Sequence, residues 1–275
     1  MKVGHHPCYN AEDSCRYGRI HLPVASRCNL ACVFCNRRYA CLNESRPGVT
    51  CELLTPEEAC ASVGKALAAM PNLTVAGIAG PGDPLANPHE TFETFRLVRR
   101  QYPDLLLCLA TNGLALPDAV ATLLSLGVRH ITVTVNAVNP VVGARIYRFV
   151  QDGEQRLSGE EGAELLLERQ RMGVRSLSAA GLLVKINTVV VPGLNDEHVA
   201  DIAKEVASWG AYVMNCIPLI PVAGTPLAGM RPPTRSLMDI IRREAGSFLR
   251  QMTHCSRCRA DAVGFLAHST VVKAL

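Results

Sequence analysis

Three cysteines in the spacing CxxxCxxC, Cys28, Cys32 and Cys35, are the residues of this sequence most suited to chemistry. A tetrahedral zinc site usually takes four ligands from two CxxC-like pairs, or from one such pair and two histidines, and this spacing supplies neither. An iron–sulfur cube has four corner irons, so one loop with three thiolates leaves one iron without a protein ligand. An open metal position is where a substrate or cofactor binds. The spacing therefore predicts a reactive iron–sulfur site.

The chain as a whole carries twelve cysteines in 275 residues. Its N-terminus lacks the apolar segment of a signal peptide. Its longest apolar stretch, residues 182–194, is interrupted by Lys185 and Pro192, so we expect no membrane span. We expect a cytoplasmic protein whose thiols stay reduced and serve metal or redox chemistry rather than disulfides. The net charge of +4 is mild and the basic residues are scattered, which predicts no nucleic-acid partner.

Apolar, β-branched runs alternate with helical patterns along most of the chain. The predicted strands are residues 21–25, 73–78, 105–110, 130–135, 183–190 and 212–217, and predicted helices begin near residues 55, 88, 117, 140, 159, 196 and 234, the last running to about residue 250. Alternation of this kind predicts an α/β fold with parallel strands and right-handed crossovers. Six units are too few for a closed eight-stranded barrel. We therefore expect a partial, open, six-stranded βα barrel over residues 20–250, with cysteine-bearing extensions at 1–19 and 251–275.

The polar signatures of the sequence fall where the predicted strands end. The cysteine motif follows the first strand, and Gly80–Asp83 and Thr111–Gly113 follow the next two. Asn136 follows the fourth strand and Asn187 lies within the fifth. In barrels of parallel strands the chemistry lies in loops at the C-terminal ends of the strands. This shared location predicts a single site.

The motif with Phe34 just before its last cysteine resembles that of the radical S-adenosylmethionine (SAM) enzymes. The resemblance implies a 4Fe–4S cluster held by Cys28, Cys32 and Cys35, whose open iron takes the amino and carboxylate groups of SAM. It also implies that the adenine packs near Phe34 and that SAM is cleaved reductively to a 5′-deoxyadenosyl radical.

A longer resemblance connects the sequence from about His6 to Gly264 with the NifB family. The matching segments are HPC (6–8), CNR (35–37), NESRPGV (43–49), GIAGPGDPLANP (77–88), TNGLAL (111–116) and CRADAVG (258–264). The resemblance implies a radical SAM enzyme that fuses two 4Fe–4S clusters, with a SAM-derived carbide, into the eight-iron core precursor of the nitrogenase cofactor. It implies three clusters, one for SAM and two auxiliary. One SAM would methylate cluster sulfur and a second would supply the radical.

The same resemblance implies partner proteins. The sequence itself differs from the family pattern at both ends of the chain. The expected partners are an iron–sulfur cluster donor, a reductant and a downstream carrier of the product. Many relatives have a further C-terminal cofactor-binding domain, which this sequence lacks after Gly264, and the N-terminal extension is very short. We expect a minimal form that passes its product to a separate carrier.

The other cysteines suggest two auxiliary ligand sets. Cys41 follows the first motif, and Cys108 and His21 lie in predicted strands that face the same interior, which together predict one set. For His21 the alternative is a hydrogen-bonded core histidine, and for Cys108 a small buried hydrophobic residue. Cys51, Cys60 and Cys216 have no partner at ligand spacing and are expected to pack.

The second auxiliary set begins with the CxxC pair Cys255 and Cys258 after the last helix. Two thiolates are too few, so we expect a further ligand from the N-terminal extension. Cys8 is preferred because of its His-Pro-Cys element, and Cys15 is the second candidate. A structural zinc at these cysteines is the alternative.

Several other residues are assigned from the resemblance and from their positions at strand ends. Gly80, Gly82 and Asp83 stand where the family contacts the methionine part of SAM, and their alternative is an ordinary turn. The ribose and adenine are assigned to Thr111, Thr134, Asn136, Ile186 and Asn187. Glu44 and Arg46 are the predicted catalytic residues: Glu44 binds iron temporarily or relays a proton, and Arg46 pairs with it or with the SAM carboxylate. A surface ion pair is the alternative for these two.

Two other functions remain open at this point. One is a different radical SAM enzyme with auxiliary clusters that acts on a nucleotide or peptide. The other is a non-catalytic iron–sulfur scaffold or zinc module. Methyl transfer to a cluster and the iron content per chain distinguish these two functions from the cluster-fusing enzyme that the NifB resemblance implies.

Overall fold

The computed structural model describes residues 4–266 and 268–271. Its strands are β1 (Gly18–His21), β2 (Leu30–Cys32), β3 (Leu73–Ile78), β4 (Leu106–Thr111), β5 (Val128–Thr134), β6 (Tyr147–Asp152), β7 (Gln155–Leu157), β8 (Leu183–Val190), β9 (Val213–Pro218), β10 (Ala262–Gly264) and β11 (Ser269–Val271). Its α-helices are α1 (Pro56–Ala69), α2 (Pro88–Gln101), α3 (Leu116–Ser125), α4 (Pro140–Ile146), α5 (Gly159–Ala179), α6 (Val199–Ser208) and α7 (Arg235–Gly246).

The main sheet of the described chain has eight strands in the order β11-β10-β1-β3-β4-β5-β8-β9. Its six strands from β1 to β9 in that order are parallel, and β10 and β11 are added antiparallel beside β1. The parallel strands curl into a half barrel. The predicted partial, six-stranded βα barrel is therefore confirmed.

The predicted strands match the structure except for the first. β3 and β8 have the predicted bounds, and β4, β5 and β9 differ by at most two residues at an end. The first strand was expected at residues 21–25, but β1 ends at His21. The physical reason is Pro23, which has no N–H to donate to the neighbouring strand. Leu22 still donates to the Gly77 carbonyl, and beyond it Ala25 makes only an isolated bridge to Pro81.

The helices begin close to the predicted positions. Thr55 caps α1 by accepting from the Glu58 backbone, and the Glu58 carboxylate accepts from the Thr55 N–H at 2.8 Å, which forms a capping box. The chain near residue 196 first forms a short 3₁₀ turn, and α6 begins only at Val199. The last helix ends at Gly246 rather than near residue 250.

A second, antiparallel sheet of order β2-β6-β7 was not predicted. It supports the cysteine motif directly, because Leu30 pairs with Val150 and Cys32 pairs with Tyr147. β2 is only three residues long, too short for a period-two pattern to be recognised. The segment 28–35 is therefore anchored to a strand and is not simply a loop.

The parallel strands bury side chains on both faces, as expected for a sheet of βα units. On β8, Val184 and Ile186 belong to the large apolar core, whereas Lys185 and Asn187 face a cavity. Helices cover the first face, and polar residues line the second. The predicted boundary at residues 19/20 falls within β1, and β10 joins the C-terminal segment to the same sheet.

In the described part of the chain, no helix has both the length and the apolar character needed to cross a membrane.

Candidate functional site

Two adjoining cavities lie at the polar face of the sheet. The larger has about 730 Å³ of empty space and the smaller about 320 Å³. Asn43 and Glu44 line both. These two residues belong to residues 41–46, which follow the cysteine motif and form the wall between the two cavities. We call residues 41–46 the wall segment.

The smaller cavity contains the three cysteines of the motif. Cys28, Cys32 and Cys35 all line it. Burial raises the pKa of all three thiols, that of Cys28 to about 12. Without a cation the thiols are therefore neutral, and a bound metal is needed to make them thiolates. Their close grouping around one cavity fits a cluster with three protein ligands.

Two amide side chains point at the sulfurs of this motif. Asn43 Nδ2 lies 3.7 Å from Cys32 Sγ, and Asn112 Nδ2 lies 3.9 Å from Cys28 Sγ. Amide donors of this kind lower the electron density on a ligating sulfur and tune a cluster. Neither residue was predicted from the sequence, although both lie in segments that were quoted for the family resemblance.

Asp83, which is predicted to balance the amino group of SAM, is buried, and most of its hydrogen bonds are made with other groups of the protein. Its carboxylate accepts from the backbone N–H groups of Leu85 at 2.9 Å and Asn112 at 2.6 Å, and from Thr111 Oγ1 at 3.0 Å. Burial, the largest effect, raises the pKa of this carboxyl despite those donors. Asp83 lines the smaller cavity, so one face remains available to a ligand. Thr111 holds Asp83 in place, and its contact with the ribose stays a prediction.

The two glycines before Asp83 allow close backbone packing. A Cβ on Gly82 would lie 2.0 Å from the Arg27 carbonyl oxygen, and Gly80 has a φ of +128°. Gly82 N–H donates to the Ala25 carbonyl at 2.6 Å. These contacts bring residues 80–83 against the chain that leads into the cysteine motif. Neither glycine is among the residues that line the two cavities.

Cys41 lies with the motif rather than with its predicted partners. It lines the smaller cavity, whereas His21 and Cys108 line the larger one. The reason is a backbone bond: Cys41 N–H donates to the Pro81 carbonyl at 2.9 Å, which fixes this residue beside the glycine-rich segment. The predicted set of His21, Cys41 and Cys108 is therefore not assembled around one cavity, and Glu44 stands at the junction between its members.

The larger cavity brings together five predicted ligands from distant parts of the chain. They are Cys8, His21, Cys108, Cys255 and Cys258. Cys15 is exposed and does not line this cavity, which favours Cys8 as the N-terminal partner of the CxxC pair. Cys60 and Cys216 are in the apolar core, in agreement with a packing role, and Cys51 is half-buried.

His21 and Cys108 flank a glycine at one level of the sheet. Gly77 on β3 pairs with His21 on β1 and with Cys108 on β4. A Cβ at Gly77 would be 3.6 Å from His21 Cδ2 and 3.5 Å from the Cys108 carbonyl oxygen. Because glycine has no side chain, the space between the two predicted ligands stays open.

Two histidines line the cavity with opposite tautomers. His21 Nδ1 donates to the Arg259 carbonyl at 2.9 Å, so its Nε2 carries the lone pair that a metal needs. His6 Nδ1 accepts from the Cys8 backbone N–H at 3.1 Å, so its buried, unpartnered Nε2 carries the proton. Burial lowers the pKa of both imidazoles, that of His21 to about 4. His21 is therefore a suitable metal ligand, whereas His6 is a hydrogen-bond donor.

The two predicted catalytic residues have different environments. Glu44 accepts from Thr134 Oγ1 and keeps a buried, unpartnered Oε2, and burial raises its pKa to about 8. Its carboxyl is thus mostly protonated in the metal-free protein at neutral pH and can release that proton. Arg46 is exposed, and only its backbone N–H, bonded to the Cys258 carbonyl at 2.9 Å, is recorded in contact with this region.

The residues assigned to ribose and adenine form a buried amide network. Asn136 Nδ2 donates to Asn43 Oδ1 at 3.2 Å, and Asn187 Nδ2 donates to the Asn43 carbonyl at 3.1 Å. These two bonds hold Asn43 in place, and the contacts with ribose and adenine stay predictions. Ile186 and Phe34 are buried in apolar clusters and do not line either cavity.

Three cations that sequence reasoning missed also line the larger cavity: Arg19, Lys185 and Arg257. Arg19 donates to Cys258 Sγ at 2.8 Å. A single basic residue forms no motif with a recognisable spacing. Only the alternation of side chains between the two faces of β1 and β8 could have indicated that Arg19 and Lys185 face the cavity.

No single-ion site is formed by residues 4–266 and 268–271: no three histidine, cysteine, aspartate or glutamate side chains converge closely enough. A cubane cluster spreads its ligands over separate corner irons. The ligand sets are therefore argued from the thiols that share a cavity, and zinc at Cys255 and Cys258 stays an alternative.

The half barrel with its three-cysteine motif defines a class. The sequence matches the family model described as "Radical SAM superfamily" over residues 22–206. The chain belongs to the radical SAM superfamily. Membership implies one 4Fe–4S cluster and SAM, and the cavity lined by Cys28, Cys32 and Cys35 fits them.

More specific similarity is found with FeMo cofactor biosynthesis protein NifB. The chain is 49% identical to the protein from Klebsiella pneumoniae over 269 residues, which is 96% of this chain and 58% of that protein. It is 45% identical to the protein from Chlorobaculum tepidum over 266 residues, 97% of this chain and 63% of that protein. The chain thus spans about six tenths of the length of these relatives.

Solved structures agree on the fold. Methylornithine synthase has a TM-score of 0.55 at 15% identity, with 85% of this chain and 71% of that chain covered. His6-tagged anSMEcpe with bound AdoMet has a TM-score of 0.56 at 15% identity, covering 90% and 73%. At this identity the likeness establishes the partial barrel alone.

Proposed function

We propose that the chain builds the eight-iron, carbide-centred precursor of the nitrogenase cofactor by fusing two 4Fe–4S clusters. The observation that carries this proposal is the larger cavity, where five predicted ligands from both ends of the chain and from two strands face one space. That cavity adjoins the three-cysteine motif through Asn43 and Glu44. Similarity to NifB over 96% of the chain supports the same conclusion.

The proposed complement is three 4Fe–4S clusters. Cys28, Cys32 and Cys35 hold the resident one, which with SAM supplies methyl transfer and radical chemistry when bound. The other two are substrates. Cys8, Cys255 and Cys258 bind one of them, and His21 and Cys108 begin the set for the other, with Cys41 as its remaining predicted ligand.

The wall segment has the main positioning role in this scheme. Asn43 orients Cys32 and is itself held by Asn136 and Asn187. Glu44 projects its free Oε2 where the two cavities meet. It is placed to relay a proton, by releasing the one it carries and then taking up another, or to bind an iron while the ligands around it change. The partners of this reaction are an iron–sulfur donor, a reductant and a carrier that accepts the product, and the reaction takes place in the cytoplasm.

Anaerobic reconstitution tests the proposal. We expect roughly twelve irons per chain, from three cubane clusters, and formation of both S-adenosylhomocysteine and 5′-deoxyadenosine when reductant and SAM are added. About four irons per chain, or bound zinc without SAM turnover, would contradict it. A radical enzyme for a nucleotide or peptide would form 5′-deoxyadenosine without methyl transfer to a cluster.

A further inference from the structure

Lys185 is a buried basic residue that has no role in the proposed cluster fusion. It lies on β8 between two core residues, with its side chain turned into the larger cavity. Only 7% of its surface is exposed. In the part of the chain that the structure describes, no ion pair or hydrogen bond of its ammonium group is found, and its nitrogen lies 5.9 Å from the centre of the Tyr9 ring.

The groups around Lys185 belong to both auxiliary ligand sets. Burial, the largest influence, acts to lower the pKa of the lysine, and the thiols and the carboxyl around it act to raise it once they are ionised. These neighbours are Cys8, Cys255, Cys108 and Glu44. Cys8 and Cys255 are assigned to one set and Cys108 to the other, and all three line the same cavity as Lys185.

The other two cations of the cavity are held by the protein. Arg19 donates to the Gly264 and Phe265 carbonyls and to Cys258 Sγ. Arg257 donates to the Pro218 and Leu42 carbonyls. No residue of the described ranges 4–266 and 268–271 gives Lys185 a hydrogen bond of this kind, so its ammonium group can turn toward an occupant of the cavity.

The charge of the lining indicates an anionic occupant. Among the described residues that line the cavity, three are cationic and Glu44 is the one carboxylate. A buried charge without a partner of opposite charge is unfavourable, so an anion in the cavity would be stabilised by these side chains. Lysine is a compact point charge with three donors, which suits contact with more than one acceptor at a time.

We propose that Lys185 is a binding residue for both cluster substrates: its ammonium group lies between the two auxiliary sites and donates to sulfides of each. It offsets the repulsion between two anionic clusters as they are brought together. This inference rests on the proposed function, since it requires clusters at both auxiliary sites.

The test uses a chain in which Cys28, Cys32 and Cys35 are replaced by Ala, so that only the auxiliary clusters form. In this background we compare Lys185→Met, Lys185→Arg and, as a matched control, Lys204→Met, which alters an exposed lysine on α6. Each protein is reconstituted with iron and sulfide. Iron per chain is measured, and the midpoint potentials of the clusters are followed by EPR during a redox titration.

We expect Lys185→Met to shift both potentials to more negative values, because loss of a nearby positive charge disfavours the more anionic reduced clusters. Lys185→Arg should keep potentials near those of the parent, and Lys204→Met should leave them unchanged. A shift confined to one cluster, or equal potentials in Lys185→Met and the parent, would overturn the inference about Lys185. A parent without auxiliary iron would instead overturn the proposed function. Circular dichroism of each variant separates these results from loss of folding.

Discussion

The two cavities are built in different ways. The smaller takes its thiols from one segment of fourteen residues, Cys28 to Cys41, anchored on β2. The larger takes its predicted ligands from the N-terminal segment, from β1 and β4, and from the segment after α7. The first is a local structure, and the second exists only when the whole sheet and both chain ends are in place. A substitution should therefore affect one cavity without the other.

The largest effect is expected for Cys32→Ala. This change removes one of three ligands from the resident cluster and should reduce 5′-deoxyadenosine formation to the level without enzyme. The larger cavity should still take up its clusters, about eight irons in two cubanes. Iron analysis and chromatography of the SAM products measure both. Wild-type radical formation in Cys32→Ala would contradict the assignment of the motif.

The reverse separation is expected for the pair of changes Cys255→Ala and Cys258→Ala. Loss of both thiols should remove about four irons, one cubane, and abolish the eight-iron product, while SAM is still cleaved without coupling. Cys15→Ala is the matched control, because Cys15 is exposed and outside the cavity. If Cys15→Ala loses iron and Cys8→Ala does not, the N-terminal ligand has been assigned to the wrong residue.

A smaller effect is expected when the space between His21 and Cys108 is filled. Gly77→Ala adds a Cβ at ordinary contact distances and should bind iron normally. Gly77→Val adds further methyl groups there, with a destabilisation of about 1–3 kcal/mol from overpacking, and should lose the cluster next to β4. The iron content of the two variants reports whether the cluster still binds, and their thermal melts report how much stability is lost. Full iron binding by Gly77→Val would show that this space is not used.

The contrast between the cavities also explains what could be predicted from sequence. The parallel strands followed from buried β-branched runs, and the cysteine motif followed from its spacing within eight residues. Cys41 was grouped with His21 and Cys108, although its backbone bond to Pro81 holds it with the motif. That bond joins segments forty residues apart, and no periodicity encodes it. Lys185 was missed for a related reason: a lone lysine in an apolar run reveals its role only when the facing residues are known.

The smallest effect concerns Glu44, at the wall between the cavities. In the apoprotein its pKa is raised from 4.5 to about 8, mainly by burial. Between these two pH values the folded carboxyl keeps its proton while the unfolded one ionises, so the free energy of unfolding falls as the pH rises. Glu44→Gln should remove this contribution, which has a slope of at most about 1.4 kcal/mol per pH unit for one proton. Urea unfolding from pH 5 to pH 8, with the exposed Glu57→Gln as control, measures it. Parallel pH profiles for wild type and Glu44→Gln would mean that the carboxyl is already ionised at neutral pH. Glu44 would then meet the clusters as a standing negative charge instead of as a proton carrier.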